Sequence, residues 1–299
     1  MTNPRADRVR EVARLAQRSA RARRRQFLAE GPQAVREALR LDADRRDRGA
    51  AAVVDDVYAS AEFLARHPEI ADLAERTGRL RLADDAVLAA MADTVSPQGI
   101  VAVCRLLDVS LEEVLAPGPS LVAVMCRVQD PGNAGTILRA ADSAGADAVV
   151  LTAGSVDVYN PKAVRSTAGS LFHVPVVLGQ DPSVLAERLR AAGVGILAAD
   201  GTGPLDLDEL QDASAARRSR VGGAAPDVPE ASAGYRLEEP TAWLFGNEAQ
   251  GLSDEEKELA DHRVAVPLYG AAESLNVGTA ATVCLYASAR SQRRSAPAG

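Results

Sequence analysis

Three short segments combine glycines with polar side chains, and each follows or contains the end of an apolar run. They are residues 130–139 (DPGNAGTILR), 243–252 (WLFGNEAQGL) and 266–281 (VPLYGAAESLNVGTAA). A glycine-rich turn between a strand and a helix exposes backbone N–H groups at the positive end of the helix dipole, which favours an anion such as phosphate. The glycine spacing in 130–139 matches neither the dinucleotide-binding fingerprint nor the P-loop. A site of either kind is therefore not expected there.

Arg139 is the basic residue of the first segment. The pattern places it in the first turn of a helix, where a cation opposes the helix dipole at ~0.3–1 kcal/mol. Such a cost indicates a function, and we expect the guanidinium to face a phosphate or a reacting hydroxyl. An ordinary surface arginine is the alternative.

The second and third segments carry the other candidate side chains. Asn247 and Glu248 lie between two glycines after an apolar strand, and in open α/β sheets ligands bind at that end of the strand. Ser274 and Asn276 precede the last helical segment. Taken alone, the Asn-Glu pair is equally typical of a common turn, and Ser274 of a helix N-cap.

Composition limits the classes of protein that need to be considered. The chain has 299 residues, enough for two domains, with 47% hydrophobic, 25% charged and only 3% aromatic residues. Few aromatics argue against RNA recognition by rows of stacked bases. The three histidines and three cysteines have no metal-ligand spacing, so no metal is expected. The apolar runs are too short to span a bilayer, which predicts a cytoplasmic protein with no membrane partner.

The charge of the chain is unevenly distributed. The net charge is −7, yet residues 1–26 carry nine arginines against Asp7 and Glu11, a local charge of +7. This segment is either a solvated helix or an electrostatic arm for nucleic-acid phosphates, since clustered guanidiniums release counterions on binding.

The order of apolar runs predicts an α/β fold with two domains. Residues 1–107 form a small α/β domain, and the Pro- and Gly-containing stretch 108–119 forms a linker. Residues 120–290 alternate buried strands with helices, which is typical of a parallel sheet covered on both faces. Capping patterns at Asn160-Pro161, Asp181-Pro182 and Ser253 to Glu256 mark helix starts. We expect a flexible insertion at 212–240 and a disordered tail at 291–299.

In this order and spacing, the three segments PGNAGTILR, FGNEAQGL and VPLYGAAESLNVGTAA resemble the SpoU (TrmH-like) RNA 2′-O-ribose methyltransferases of the SPOUT superfamily. The resemblance covers residues 120–290. It extends to the first domain through RRRQFLAEGPQAVREAL and SPQGIVAV, which look like the N-terminal substrate-binding domain of that family. That domain is itself similar to small ribosomal RNA-binding proteins.

The resemblance implies a parallel sheet with a C-terminal trefoil knot, a homodimer, and S-adenosylmethionine as cofactor. It assigns the role of catalytic arginine to Arg139, positioned by Asn133, with Glu248, Ser274 and Asn276 completing the site. The cofactor would be held, largely by backbone groups, by a set of residues at three strand ends and in the last loop: Asp200, Gly201, Thr202, Leu244, Phe245, Gly246, Val266, Pro267, Leu268, Ser274, Leu275 and Asn276.

The resemblance also implies an RNA substrate, with rRNA favoured over tRNA. The arginines expected to contact its phosphates are Arg18, Arg21, Arg23, Arg24, Arg25 and Arg165. A tRNA methyltransferase and a non-catalytic RNA-binding or ribosome-assembly protein are the alternatives. Intact Arg139, Glu248 and Asn276 argue against the non-catalytic protein, and the missing glycine fingerprint argues against a Rossmann-type methyltransferase or dehydrogenase.

Overall fold

A computed structural model describes residues 1–220 and 234–295 of the chain. They fall into two units: residues 1–107 with 157–173, and residues 108–156 with 174 onward. The segment 157–173, which the sequence places in the second domain, therefore groups with the first. The reason is that its helix packs on the first strand of that unit and its Asp157 and Arg165 pair with residues of that unit.

The first unit contains a four-stranded sheet. Its elements are α1 (Asp7–Ala13), α2 (Arg18–Arg24), β1 (Gln26–Glu30), α3 (Pro32–Asp47), β2 (Val54–Ala59), α4 (Ala61–Arg66), α5 (Pro68–Arg76), β3 (Leu80–Leu82), α6 (Asp85–Met91), β4 (Ile100–Arg105) and α9 (Pro161–Ser166). The strand order is β1-β4-β2-β3, with β4 antiparallel to both β1 and β2. Apolar residues of α1 and α6 cover one face of this sheet, because these helices are amphipathic.

The second unit contains a seven-stranded parallel sheet. Its elements are α7 (Leu111–Leu115), β5 (Leu121–Met125), α8 (Pro131–Ala144), β6 (Ala148–Thr152), β7 (Val176–Gln180), α10 (Pro182–Ala191), β8 (Gly195–Ala199), β9 (Leu205–Asp206), α11 (Leu207–Arg220), β10 (Thr241–Phe245), α12 (Asp254–Glu258), β11 (His262–Ala265) and α13 (Val277–Ser295). The strand order is β7-β6-β5-β10-β8-β11-β9. The α/β class and the parallel sheet are confirmed.

The apolar runs become strands because both faces of this sheet are covered. All five residues of β5, of β6 and of β10 are buried, as a doubly covered parallel sheet requires. The two-residue strand β9 was not predicted, since its length leaves no pattern to detect. The predicted helix caps at Asn160, Asp181 and Ser253 are confirmed by side-chain hydrogen bonds to backbone N–H groups.

Two expectations about disorder were wrong in part. The predicted insertion at 212–240 begins inside α11, where Leu207, Leu210 and Ser214 are buried and hold the helix on the unit. After the segment 221–233, which lies outside the described residues, Glu238 pairs with Arg217 at 2.8 Å. The predicted tail at 291–299 begins inside α13, because Ser291 is buried and the Gln292 amide donates to the carbonyls of Ser120 and Glu239. Residues 296–299 lie outside the described residues.

Within residues 1–220 and 234–295, no helix is long and apolar enough to span a membrane.

Candidate functional site

The site is built where the adjacent strands β5 and β10 end. The loop after β10 carries Glu248, and its carboxylate accepts hydrogen bonds from the loop after β5. Its Oε1 accepts from the Asp130 N–H at 2.9 Å and from the Asn133 amide at 3.2 Å, and its Oε2 accepts from the Gln129 N–H at 3.1 Å. The first and second sequence segments therefore meet through one carboxylate.

Asn133 joins the third segment to the same site. Its Oδ1 accepts a hydrogen bond from the Asn276 amide at 3.0 Å. The Asn276 Oδ1 in turn accepts the N–H groups of Gly278 at 2.9 Å and Thr279 at 3.4 Å. Asn276 therefore caps α13, and the three segments form one continuous hydrogen-bonded chain from Glu248 to Asn276.

The local sequence explains why α8 begins where it does. The Asp130 carboxylate accepts the Asn133 N–H at 2.9 Å, and Pro131 occupies the first helical position, where its missing N–H costs nothing. On α13, a Cβ atom at Gly278 would lie 2.8 Å from the Thr136 side chain. Glycine at this position lets α13 approach α8, which brings Asn276 within reach of Asn133.

Arg139 lies in the third turn of α8, so its expected place in the first turn was wrong. The helix begins at Pro131 because Asp130 caps it, and Arg139 is therefore outside the short range of the dipole. The side chain is exposed, and in the part of the chain that the structure describes it has no hydrogen-bond or ion-pair partner. The dipole argument for its function fails, while its free guanidinium remains available to a ligand.

Glu248 is held in its charged form. Partial burial would raise its pKa, but the Asp130 and Gln129 N–H groups outweigh burial and lower the pKa below its usual value. A carboxylate of this kind is a poor base, because accepting a proton would break its hydrogen bonds. We infer that Glu248 fixes the two loops rather than moving a proton.

Sequence reasoning did not predict the contacts of three residues that support this arrangement. The Asn247 amide donates to the Arg127 carbonyl at 3.0 Å, and its Oδ1 accepts the Ala249 and Gln250 N–H groups. Arg127 has a left-handed backbone (φ 56°) and makes a two-bond ion pair with Glu256, each bond 2.8 Å long. The capping pattern from Ser253 to Glu256 was a signal that Glu256 is structured, but nothing in the sequence pointed to Arg127.

The residues expected to hold a cofactor follow three strands that are neighbours in the sheet, β10, β8 and β11. Leu244 and Phe245 are buried inside β10, and the Phe245 carbonyl accepts the Cys126 N–H at 2.8 Å, so Gly246 is the first residue of this set in the loop. A Cβ at Gly246 would lie 2.2 Å from the Gly251 carbonyl carbon, which only glycine avoids. Val266 and Pro267 are half-buried and Leu268 is exposed.

Asp200 is engaged by protein groups. Its carboxylate accepts the Thr202 N–H at 3.1 Å and the Thr202 hydroxyl at 3.0 Å, and Arg263 lies 3.3 Å away. Burial would raise its pKa, but the Thr202 hydrogen bonds and the positive charges of Lys257 and Arg263 outweigh burial and lower it. Gly201 and Thr202 are exposed beside it, so backbone groups of this turn, rather than the carboxylate, are open to a ligand.

Ser274 and Leu275 lie in the irregular loop that precedes α13. Ser274 is exposed and has no recorded partner among residues 1–220 and 234–295, and Leu275 is half-buried. Ser274 is not the N-cap of the helix, since Asn276 takes that position.

The arginines expected to contact RNA fall into two groups. Arg21 is 3% exposed and donates to Asp157 and to the carbonyls of Leu15 and Ala16, so the structure contradicts a phosphate contact there. Arg165 pairs with Glu30 at 3.1 Å and Asp93 at 3.2 Å, which neutralises much of its charge.

The remaining four arginines of the expected set are more accessible. Arg18, Arg23 and Arg25 are exposed, and Arg24, half-buried, pairs with Glu11 at 3.2 Å. Across the described ranges no cluster of three or more His, Cys, Asp or Glu residues could hold a metal ion.

The parallel sheet with polar loops at the carboxyl ends of its strands defines an α/β protein with a ligand site at that edge. The chain belongs to the SpoU rRNA Methylase family, whose sequence model matches residues 120–286. The MRM3-like substrate binding domain matches residues 6–102.

Named relatives agree with this family. The chain is 35% identical over 278 residues to the 23S rRNA (guanosine(2553)-2′-O)-methyltransferase RlmP of Bacillus subtilis, covering 93% of this chain and 94% of the relative. It is 33% identical over 218 residues to the 23S rRNA (uridine(2479)-2′-O)-methyltransferase of Streptomyces viridochromogenes, covering 72% and 68%.

A solved structure gives the same result. The SpoU methyltransferase AviRb from Streptomyces viridochromogenes, in complex with the cofactor AdoMet, matches with a TM-score of 0.73 and 29% identity over 97% of this chain and 98% of that one. The predicted family and its N-terminal substrate-binding domain are therefore confirmed.

Proposed function

We propose that this protein transfers a methyl group from S-adenosylmethionine to a ribose 2′-hydroxyl of rRNA. The observation that carries the proposal is the hydrogen-bonded chain from Glu248 through Asn133 to Asn276. Asn133 lies on α8, the helix that also carries Arg139, whose exposed side chain has no partner among the described residues. Relatives that modify 23S rRNA and a similar structure with bound AdoMet support it. A tRNA substrate is less well supported, because these relatives are named for 23S rRNA.

The strand-end loops suit S-adenosylmethionine. A Cβ atom at Gly201 or Gly270 would meet nothing within 4 Å, so backbone groups there are open to a ligand. Leu268 is 40% exposed, and Leu275 is half-buried in the same loop. These apolar side chains would cover an adenine ring, while residues 200–202, Gly246 and residues 266–268 would hold the cofactor through backbone groups. Bound there, the cofactor supplies an electrophilic methyl group on its sulfonium.

In the proposed reaction, a bond would form between the ribose 2′-oxygen and that methyl carbon as the carbon–sulfur bond of the cofactor breaks. The demethylated cofactor would leave as a neutral thioether, and the 2′-hydroxyl proton would be released to solvent. Arg139 acts as a hydrogen-bond donor to the developing alkoxide or to a neighbouring RNA phosphate, because a guanidinium stays protonated in proteins. Asn133, Glu248 and Asn276 hold α8 and the two loops in register with it. Ser274, which is exposed and without a partner in the described residues, is placed to contact the substrate or cofactor.

We further infer a homodimer, a C-terminal knot and a cytoplasmic location. Val283 (37% exposed) and Tyr286 (49% exposed) form an apolar strip on α13, and the Tyr286 hydroxyl donates to the Ser143 carbonyl of α8. An exposed apolar strip on α13, which packs against α8, suits the face of a second copy. The knot and the cytoplasmic location follow from the family and from an rRNA substrate.

The test combines cofactor binding with transfer. Isothermal titration should give saturable binding of S-adenosylmethionine near one per chain, lost in Leu275→Arg, which blocks the proposed pocket. The protein should then transfer labelled methyl groups to unmodified 23S rRNA at sites that resist alkaline cleavage, because that cleavage needs a free 2′-hydroxyl. Folded wild-type protein that binds no cofactor and transfers no methyl group would favour the non-catalytic RNA-binding protein.

A further inference from the structure

We propose that a cleft at one end of the sheet of the first unit binds the phosphodiester backbone of the RNA substrate. The cleft has a volume of about 330 Å³ and is lined by Arg24, Arg25, Gln26, Asp55, Arg105 and Leu106. We refer to these residues as the arginine cleft. The inference rests on the proposed function, since it assumes that the protein acts on RNA.

Three neighbouring strands bring these residues together. Gln26, the first residue of β1, lies opposite Arg105, the last residue of β4. On the other side of β4, the register of β2 shifts between Val54 and Asp56, which leaves Asp55 at a bulge. A bulge changes the direction of a side chain and is common at sheet edges and binding sites.

Asp55 organises the basic side chains of the cleft. Its Oδ2 accepts the Gln26 amide at 2.7 Å, and its Oδ1 accepts the Arg105 Nε at 2.9 Å and an Arg79 Nη at 3.2 Å. Arg105 therefore donates its Nε–H to the carboxylate, while its two terminal nitrogens make no hydrogen bond to any described residue. Those nitrogens form the face of a guanidinium that suits a phosphate oxygen.

The charge of the cleft favours an anion. Three arginines line it, Arg24, Arg25 and Arg105, and Asp55 is the one carboxylate among the described residues of the lining, so the lining carries an excess of two positive charges. Arg105 is 48% exposed, and Arg25 is also exposed. The rest of the protein is strongly acidic, so this local excess is the opposite of the overall charge of −7.

The backbone at Arg25 gives the cleft a fixed wall. Arg25 ends α2 in the left-handed conformation (φ 54°, ψ 39°), and its carbonyl accepts the Leu106 N–H at 3.1 Å. Among the described residues that line the cleft, none is aromatic, so it is not built to stack bases. Charge and a fixed shape without stacking groups suit the RNA backbone rather than a particular base.

The first test measures the salt dependence of RNA binding. Deproteinised 23S rRNA fragments are titrated with wild-type protein, Arg105→Ala, Arg25→Asn and the control Arg76→Ala. Asparagine tolerates the left-handed backbone at position 25. Arg76 is an exposed arginine of α5 that lines no part of the cleft.

Each cleft variant should weaken RNA binding about 3- to 10-fold and lower the slope of log K against log salt by about 0.7–0.9, the effect of one lost phosphate contact. The control should change neither quantity. Equal losses in the control and the cleft variants, or no loss in either, would contradict the cleft.

The second test predicts a gain in RNA affinity rather than a loss, so a folding defect cannot produce the expected result. Asp55→Asn removes the one carboxylate among the described residues that line the cleft, while its amide oxygen can still accept a hydrogen bond. Binding of 23S rRNA should become tighter and the salt slope steeper. Weaker or unchanged binding of 23S rRNA would overturn the proposal. Binding of inorganic phosphate at the cleft, with RNA affinity unchanged in every cleft variant, would overturn it as well.

Failure of the cleft can be told apart from failure of the proposed function. The affinity for S-adenosylmethionine should be the same in all these variants, because the cleft lies in the first unit and the cofactor loops lie in the second. If wild-type protein methylates 23S rRNA and the cleft variants bind RNA normally, only the cleft is wrong. If wild-type protein binds no RNA, the proposed function itself fails.

Discussion

Asn133 and Asn276 lie 143 residues apart in the chain and are joined by a hydrogen bond of 3.0 Å. Each side chain has a second partner: Asn133 donates to Glu248, and Asn276 caps α13. An amide side chain can donate and accept at the same time, and the carboxylate at the end of the chain fixes the direction of every bond. The site is therefore held by one directional network across three loops.

Asn133→Ala tests that network. The variant removes the donor to Glu248 and the acceptor for Asn276, so we expect kcat to fall about 10- to 100-fold through loss of positioning. Stability should fall by only about 1 kcal/mol. Methyl transfer to 23S rRNA and the melting temperature are measured together. Asn160→Ala is the matched control: it removes an N-cap of α9 at a similar cost of about 1 kcal/mol but touches no site residue. Equal activity losses in the two variants would contradict a positioning role.

Arg139 should affect the reaction without affecting the fold. Its side chain is exposed and has no partner in the described parts of the chain, so Arg139→Ala should leave the melting temperature unchanged. Loss of a donor to the transition state should lower kcat about 10²- to 10³-fold. Arg139→Lys should restore part of the activity if charge is what matters, and little if the planar fork is needed. Wild-type kcat in Arg139→Ala would remove Arg139 from the mechanism.

The fold was largely predictable from the sequence, because its strands are buried on both faces. Continuous apolar runs such as 121–125 and 148–152 have no other stable place in a globular domain of this size. The helix α11 was missed because its Ala-, Ser- and Arg-rich sequence has no clear apolar stripe. Its few buried residues, such as Leu207 and Leu210, are too sparse to form a periodic signal.

The residues of the candidate site could be named from the sequence, but their contacts could not. The order and spacing of the three segments indicated Asn133, Glu248 and Asn276, yet nothing in the sequence could show that a single carboxylate joins two loops. The set of arginines expected to contact RNA was also partly wrong, because the sequence does not show which arginines find partners in the fold. Arg21 donates to Asp157, 136 residues away, and is buried there. Arg105, which was not in the expected set, lines the arginine cleft.

The lowered pKa of Glu248 predicts how the stability of the protein depends on pH. Its pKa is lowered in the folded protein, because the N–H groups of Asp130 and Gln129 outweigh partial burial. A group with a lowered pKa adds stability above its unfolded value, about 4.3, and loses that contribution as the pH falls through the folded value. The melting-temperature difference between wild type and Glu248→Gln should therefore be constant from pH 8 to about 5 and shrink below it. A difference that grows on acidification would contradict this assignment.

Arg127 and Glu256 should stabilise the loop that Glu248 binds. Glu256 has a side chain only 5% exposed, while Arg127 is 32% exposed and carries the carbonyl to which Asn247 donates. Removing one partner of a buried pair leaves an uncompensated charge, but partial exposure of Arg127 reduces the loss, so we expect Glu256→Gln to cost about 2 kcal/mol. That loss lowers the melting temperature of a domain of this size by about 4–8 °C.

The Arg127–Glu256 pair should affect catalysis as well as stability. Because Arg127 has a positive φ, Arg127→Gly keeps the backbone and removes only the ion pair, and Arg127→Lys keeps the charge without the two-bond geometry. We expect both variants to weaken the positioning of the 127–130 turn, with the glycine variant losing more kcat than the lysine variant at an unchanged affinity for S-adenosylmethionine. A loss of cofactor affinity equal to the loss of kcat would show that the pair supports the sheet edge as a whole rather than the loop that carries Asn133.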